Sequence, residues 1–362
     1  MEKLPDLIIG DLKINPPIVQ GGMGVRISLS KLASAVANEG GVGTIATALI
    51  GGLKSHFSMD EHELADIKEV IDQIRKAKTL TTGVIAVNVM VALTNYPSLV
   101  QASAKEGIDI VFSGAGLPLS LPKLVEGTKT KICPIVSSGR AAEIICRNWI
   151  RKYNYVPDGI VVEGPLAGGH LGFSFKELEN ETAMPKLEDI VVEVVKVAQK
   201  YGNEQKRKIP VIAAGGIYDG KDIARFLKLG ASGVQMATRF AATYECDAAE
   251  EFKQAYINAK KEDLTIIRSP VGMPGRAIQN KFLDRAKRGE VKFNCSYQCL
   301  KTCNPVTSPY CIADALINAA KGDLENGFVF VGSNTDKVDR IVSVKDLMKE
   351  LVEEAEATIS EF

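Results

Sequence analysis

Residues 161–173 read VVEGPLAGGHLGF. The apolar run 160–162 feeds directly into a loop with four glycines and one histidine, His170. Glycine surrenders more backbone freedom on folding than other residues, so a loop this rich in it needs a close neighbour as its reason. The run before it has the length of a buried strand. The question is how often the chain repeats this unit.

It repeats eight times. Short apolar runs lie at 17–20, 42–46, 84–89, 108–114, 131–137, 159–164, 210–216 and 233–237. Amphipathic stretches separate most of them, at 30–39, 60–76, 141–153, 189–201 and 220–229. Near-continuous apolar runs are expected of parallel strands covered by helices on both faces. Eight such units in the first 240 residues fit an α/β fold, a (β/α)8 TIM barrel, with a doubly wound open sheet as the competing layout. The glycines favour the barrel. Gly21, Gly22 and Gly24, then Gly114 and Gly116, then Gly164, Gly168 and Gly169, then Gly215 and Gly216 each follow a strand. Strand C-terminal ends build the active face of such barrels.

Beyond 240 the pattern loosens. Asp247 with Glu250 reads as a capping box opening a helix through 260, and further helices are expected at 312–321 and 344–359, with a loop or short strand at 327–334. The reading divides the chain into a barrel (1–240), an inserted lid-like subdomain (241–334) and a C-terminal helix packed on the barrel (335–362).

Formal net charge is zero, with 24% charged and 46% hydrophobic residues. That balance argues against a dedicated nucleic-acid or anionic-membrane surface. The first twenty residues lack an apolar h-region, and no apolar run approaches the roughly 20 residues of a membrane-spanning helix. With seven cysteines and no leader, a reduced cytoplasmic protein is expected.

The chain has neither a P-loop, nor G-x-G-x-x-G after a strand, nor H-E-x-x-H. Loops after strands seven and eight of such barrels often hold phosphate, and here they read AAGGI (213–217) and QMATRF (235–240). A phosphate-tailed ligand such as flavin mononucleotide (FMN) is the natural candidate. Of the three histidines, His56 and His62 flank a helix start at Ser58, capped with Glu61, and read as solvated surface groups. His170 instead sits at a strand end among glycines, where an imidazole suits proton transfer.

Cys295, Cys299, Cys303 and Cys311 form C-x3-C-x3-C-x7-C. A helical segment would line up three thiols on one face and offer zinc or an iron–sulfur cluster a site. The spacing matches neither a zinc ribbon nor a ferredoxin, and buried small apolar groups are the alternative.

Together, PPIVQGGMG, VNVM, SGAGLP, VEGPLAGGHLGF, IPVIAAGGI, GASGVQMATRF and GMPGRAIQNKF resemble the nitronate monooxygenase family, formerly 2-nitropropane dioxygenases, which also contains FMN-dependent enoyl-acyl-carrier-protein reductases. The resemblance spans 17–282. It implies an FMN site lined by Gly21, Gly22, Met23, Asn88, Ser137, Ser138, Gly168 and Gly169, with Gly215, Gly216, Gln235, Met236 and Thr238 on the phosphate. Gly114 and Ala115 would face the substrate, and His170 would be catalytic. Leu166 departs from the family's usual acidic residue, and 295–362 has no counterpart in the well-known branches.

The resemblance implies oxidation of alkyl nitronates by dioxygen to a carbonyl compound and nitrite. The alternative is an NADH- or NADPH-dependent enoyl reductase. Its acidic acyl-carrier partner would need a basic patch near the mouth, for which KRK (206–208) and Lys281, Arg285, Lys287 and Arg288 are candidates. A non-redox barrel binding a phosphorylated ligand is the reading of another class. A homodimer is compatible with all three.

Overall fold

The computed structural model describes residues 3–53, 57–180, 184–295 and 297–361; His56 lies outside them. Among the described residues, eight strands form one parallel sheet: β1 Ile18–Gln20, β2 Gly43–Ala46, β3 Ile85–Met90, β4 Ile110–Gly114, β5 Lys131–Val136, β6 Ile160–Glu163, β7 Val211–Ala214 and β8 Gly233–Met236. From β2 to β8 each pairs with the next in sequence, and β8 pairs with β1. The ring closes between β1 and β2, where Gln20 N–H donates to Val42 O and Val42 N–H to Ile18 O, both at 2.9 Å. The open sheet is excluded.

The strands read as continuous apolar runs because both faces are buried. Val19, Ala86, Phe112, Cys133, Val161 and Ile212 point inward and fill the barrel. Leu7, Ile9 and Ile14, from the hairpin Leu7–Ile9 and Leu12–Ile14, plug its N-terminal end. The residues between point outward, such as Ile18, Ile45, Val87, Val111, Ile160 and Val162, and meet the helices.

Helices follow the strands in turn: α1 Ser30–Asn38, α2 Met59–Leu80, α3 Tyr96–Lys105, α4 Leu121–Leu124, α5 Gly139–Tyr153, α6 Leu187–Glu204 and α7 Gly220–Lys228. α2 opens on the expected Ser58–Glu61 capping box. The eighth position in the ring is filled from much further along the chain. α8, Val344–Ser360, packs against α7 and α1, burying Val344, Leu347, Met348, Leu351 and Ala355. Its Glu354 accepts from Gly220 N–H at 2.8 Å, and Glu356 from Leu4 N–H at 3.3 Å.

Residues 237–343 therefore sit between the last strand and the last helix of the ring, on the face where the strands end. They share the continuous apolar core of the helical layer through Phe252, Tyr256, Phe282, Tyr310 and Phe328. A hairpin, β9 Leu264–Arg268 and β10 Pro274–Ile278, adds a two-residue strand, Gly169–His170, to its edge. The loop that opened the sequence reading is thus tied to this insertion by backbone hydrogen bonds.

Three local expectations fail. Asp247 caps no helix of its own: the helix there runs Glu250–Asn258 with Ala249 at its N-cap. Its carboxylate accepts instead from Leu29 and Leu32 N–H, at 2.9 and 3.3 Å. It thereby supplies the acceptor that Leu29, at the N-cap of α1, lacks. His62 is buried rather than solvated, stacked on Tyr297 with ring centroids 4.8 Å apart. The cysteine-bearing segment forms no helix; it is irregular among its described residues and pinned to the β3–α3 loop by Thr94 N–H to Cys299 O and Lys301 N–H to Ala92 O. No helix among the described residues is long and apolar enough to cross a membrane.

Candidate active site

A cavity of about 440 Å³ opens at the C-terminal ends of the strands. That lies within the range of small-molecule and cofactor sites. Gly21, Gly22, Met23, Asn88, Gly114, Ala115, Ser137, Gly168, Gly169, His170, Gly215, Gly216, Gln235, Met236 and Thr238, all singled out from sequence, line it together. Ser138 does not. β5 ends at Val136, so Ser137 stays on the cavity wall and donates to Gly172 O at 3.0 Å. Ser138, the next residue, caps α5 by accepting from Ala141 N–H.

His170 is held from three sides. Its backbone pairs with Gly275 of β10, its Nε2 lies 2.7 Å from Ser269 Oγ, and its ring meets Phe330 edge-on at 4.9 Å. Ser269 Oγ also accepts from Val271 N–H, which fixes the hydroxyl at the β9–β10 turn. Burial lowers the imidazole to about 4, so it is uncharged at neutral pH. Behind the loop, the buried Arg276 donates to Pro165 O and Ala167 O at 2.9 and 2.5 Å. One guanidinium so clamps both sides of Leu166.

The cavity fits the expected flavin on several counts. Gly215 and Gly216 stand at φ +93° and +91°, and none of the described backbone carbonyls accepts from their N–H groups. Successive free N–H groups in such a turn form an anion-binding concavity. Ser333 Oγ, on the same wall, is buried with no partner among the described residues. A buried hydroxyl left unpaired is costly unless an occupant satisfies it. A Cβ on Gly22 would come within 2.4 Å of Asn88 Cβ, so this wall has no room for a side chain. Gly215, Gly216 and Ser333 are therefore positioned to hold a phosphate, and Gly22 and Asn88 to flank a flat ring.

Sequence reading missed several lining residues: Glu163, Tyr256, Met273, Phe330, Ser333 and Asn334. All but Glu163 come from the insertion. Asn334 Nδ2 donates to Gly216 O at 2.8 Å, and Ser333 N–H to Leu166 O at 3.1 Å, so segment 327–334 wedges between the two glycine loops. The signal for Glu163 was available, because period-two alternation from the inward Val161 points it into the barrel.

The cysteines stand apart. Cys299 is buried, and its thiol is pushed up by burial first and then by the thiols of Cys311, Cys295 and Cys303 nearby. No group of three or more His, Cys, Asp or Glu among the described residues is arranged to hold a metal ion. The KRK run is equally displaced. It lines a separate hollow beside the N-terminal ends of β7 and β8, opposite the cavity, where Arg207 pairs with the buried Asp158.

A family model for nitronate monooxygenase matches residues 6–106 and 94–354. The chain belongs to the nitronate monooxygenase family. It is accordingly an oxidoreductase, and the non-redox reading falls away. A probable nitronate monooxygenase from Staphylococcus aureus is 28% identical over 308 residues, covering 77% of this chain and 79% of that one. A carboxyl-CoA dehydrogenase acting on an octahydroindene skeleton, from Rhodococcus jostii RHA1, is 26% identical over 271 residues, covering 75% of this chain and 65% of that one. Among solved structures, FabK from Thermotoga maritima superposes with a TM-score of 0.73 at 26% identity, covering 96% and 95% of the two chains. This neighbour and the closed ring agree on the TIM barrel.

Proposed function

We propose that the chain is an FMN-dependent enzyme that oxidises alkyl nitronates, and the parent nitroalkanes, with dioxygen to a carbonyl compound and nitrite. When bound, the flavin supplies the electron-transfer chemistry. The observation that carries the reading is the placing of His170: a half-buried imidazole on the wall of the cavity, its Nε2 2.7 Å from Ser269 Oγ, which desolvation keeps uncharged. An uncharged imidazole receives a proton rather than giving one, which suits removal of the acidic α-proton of a nitroalkane.

The other residues bind and exclude. The Gly215 and Gly216 N–H groups and Ser333 hold the phosphate. Met23, Met90, Leu166, Met273 and Phe330 give the substrate an apolar, water-poor enclosure. Arg276, by gripping the 165–167 carbonyls, keeps the His170 loop in register. The seven free thiols support the cytoplasmic compartment we assign to it.

A second reading, an NADH- or NADPH-dependent reductase of an enoyl thioester, is favoured by the carboxyl-CoA dehydrogenase relative. Anaerobic mixing of the purified protein with propyl-2-nitronate, NADH or NADPH separates the two. Flavin absorbance that responds to nitronate and ignores both nicotinamides supports the oxidase. Bleaching by a nicotinamide alone establishes the reductase. A protein that neither carries nor takes up flavin removes both.

A further inference from the structure

The base assigned above leaves one titratable group of the cavity without a task. Glu163 closes β6, pairs in register with Ala214 of β7, and directs its carboxyl inward from the last barrel layer. On the adjoining strands it is level with Ala214 of β7 and, one step beyond the Val136–Val162 pair, with Ser137 after β5, whose hydroxyl is already given to Gly172 O at 3.0 Å. None of the described residues donates a hydrogen bond to it, and burial alone raises it to about 7. The titratable groups sharing the cavity are His170 and Tyr256, whose hydroxyl is already given to Phe330 O at 2.7 Å; Arg276 lies behind the loop on its two carbonyls. No charged neighbour contributes to the state of either Glu163 or His170.

A protonated carboxyl carries one O–H donor, and a buried donor needs an acceptor. None of the described residues makes a hydrogen bond with it, so the acceptor comes from what fills the cavity. A flavin ring system is rich in carbonyl and ring-nitrogen acceptors. We propose that Glu163 holds bound FMN as a neutral acid, donating a hydrogen bond to the ring, so that its ionisation loosens the cofactor. The inference rests on the flavin reading of the site, and it makes cofactor retention sensitive to pH within the physiological range.

The binding equilibrium follows from linkage. If only the protonated form binds well, Kd rises about tenfold per pH unit once the free carboxyl ionises, or about 30-fold from pH 6 to 8.5. His170 does not titrate in that window. The phosphate of FMN does, so the comparison must be with a variant that keeps the donor and loses the titration. Glu163→Gln is that variant.

The test is fluorescence titration of FMN into apoprotein prepared from the parent and from E163Q at pH 6, 7, 7.75 and 8.5. The expected result is a parent Kd that climbs about 30-fold relative to E163Q, with E163Q following only the phosphate. Parallel profiles for the two proteins would overturn the proposal while leaving the flavin reading intact. No FMN binding by the parent at any pH would instead overturn the flavin reading itself. Circular dichroism of E163Q confirms that its fold is retained, and Glu163→Asp, which keeps the acid, should restore the pH dependence if E163Q misfolds.

Discussion

The two ends of the barrel treat buried polar groups in opposite ways. At the N-terminal end, Asp158 is almost wholly buried and fully engaged: it accepts from Tyr155 OH at 2.6 Å and Ile132 N–H at 2.8 Å, and it pairs with Arg207. Thr130 is satisfied by Ile108 O, and Lys131 by Asp11. At the C-terminal end, among the described residues, Glu163 has no donor and Ser333 Oγ no partner, and Ala115 sits at φ +52°. Polar groups that the protein satisfies by itself hold the fold together. Glu163 and Ser333, which it leaves open, both face the cavity.

Five substitutions test that contrast, in an order from the largest effect to the smallest. His170→Ala should retain FMN and lose roughly 10²–10⁴-fold in turnover of neutral nitroalkanes, with a smaller loss for nitronates supplied already ionised. Steady-state kinetics on both substrates checks it; near-parent activity would remove His170 from the chemistry. Ser269→Ala should fall between the two, because the imidazole remains but its orientation is freed.

The second test is the pH dependence of apoprotein stability. Glu163 is raised to about 7 in the fold from 4.5, so its contribution is fully present below pH 4.5 and is lost as pH rises to 7. His170 is lowered to about 4 from 6.5, so the fold loses stability as pH falls through that interval. The stability difference between E163Q and the parent should therefore shift in favour of E163Q by about 3 kcal/mol between pH 4.5 and 8. Urea unfolding at the two pH values reads this directly, and a pH-independent difference would contradict it.

The third test moves to the sealed end. Asp158→Ala strands the Tyr155 hydroxyl and Ile132 N–H, and should cost about 1–3 kcal/mol in unfolding free energy while leaving kcat unchanged. A loss of turnover without a loss of stability would break the division of labour between the two ends. The smallest effect is expected from Ala115→Gly. It relieves a left-handed backbone at the cavity rim and should raise stability by at most about 1 kcal/mol, seen as a small increase in Tm.

Much of the barrel was legible in the sequence because both strand faces are buried, so each strand appears as an uninterrupted apolar run whatever its neighbours. His170 was legible for a related reason: glycines at a strand end mark where backbone approaches a ligand. The failures share a physical cause, which is contact between segments far apart in the chain. Nothing near His62 announces that Tyr297 will cover it, and nothing near Asp247 shows that α1 lacks a cap. Ser138 was misread because only the exact end of β5 decides which of two adjacent serines faces the cavity. The cysteine spacing suggested a helix face, but the backbone of that stretch docks on the β3–α3 loop instead.

The ring of helices has a consequence for how the molecule is made. α8 fills the gap between α7 and α1, yet the whole insertion, residues 237–343, is synthesised before it. While a ribosome is still translating that insertion, all eight strand segments have been made, but the helix that fills the gap between α7 and α1 has not. Gly220 and Leu4 N–H then lack the carboxylates of α8, and the apolar flanks of α7 and α1 stay wet. Segment 327–334, which completes the cavity wall, emerges only just before α8 does. Closing the pocket and closing the ring are thus nearly the same moment in the life of the nascent chain, and a cofactor captured earlier would be held by an unfinished vessel.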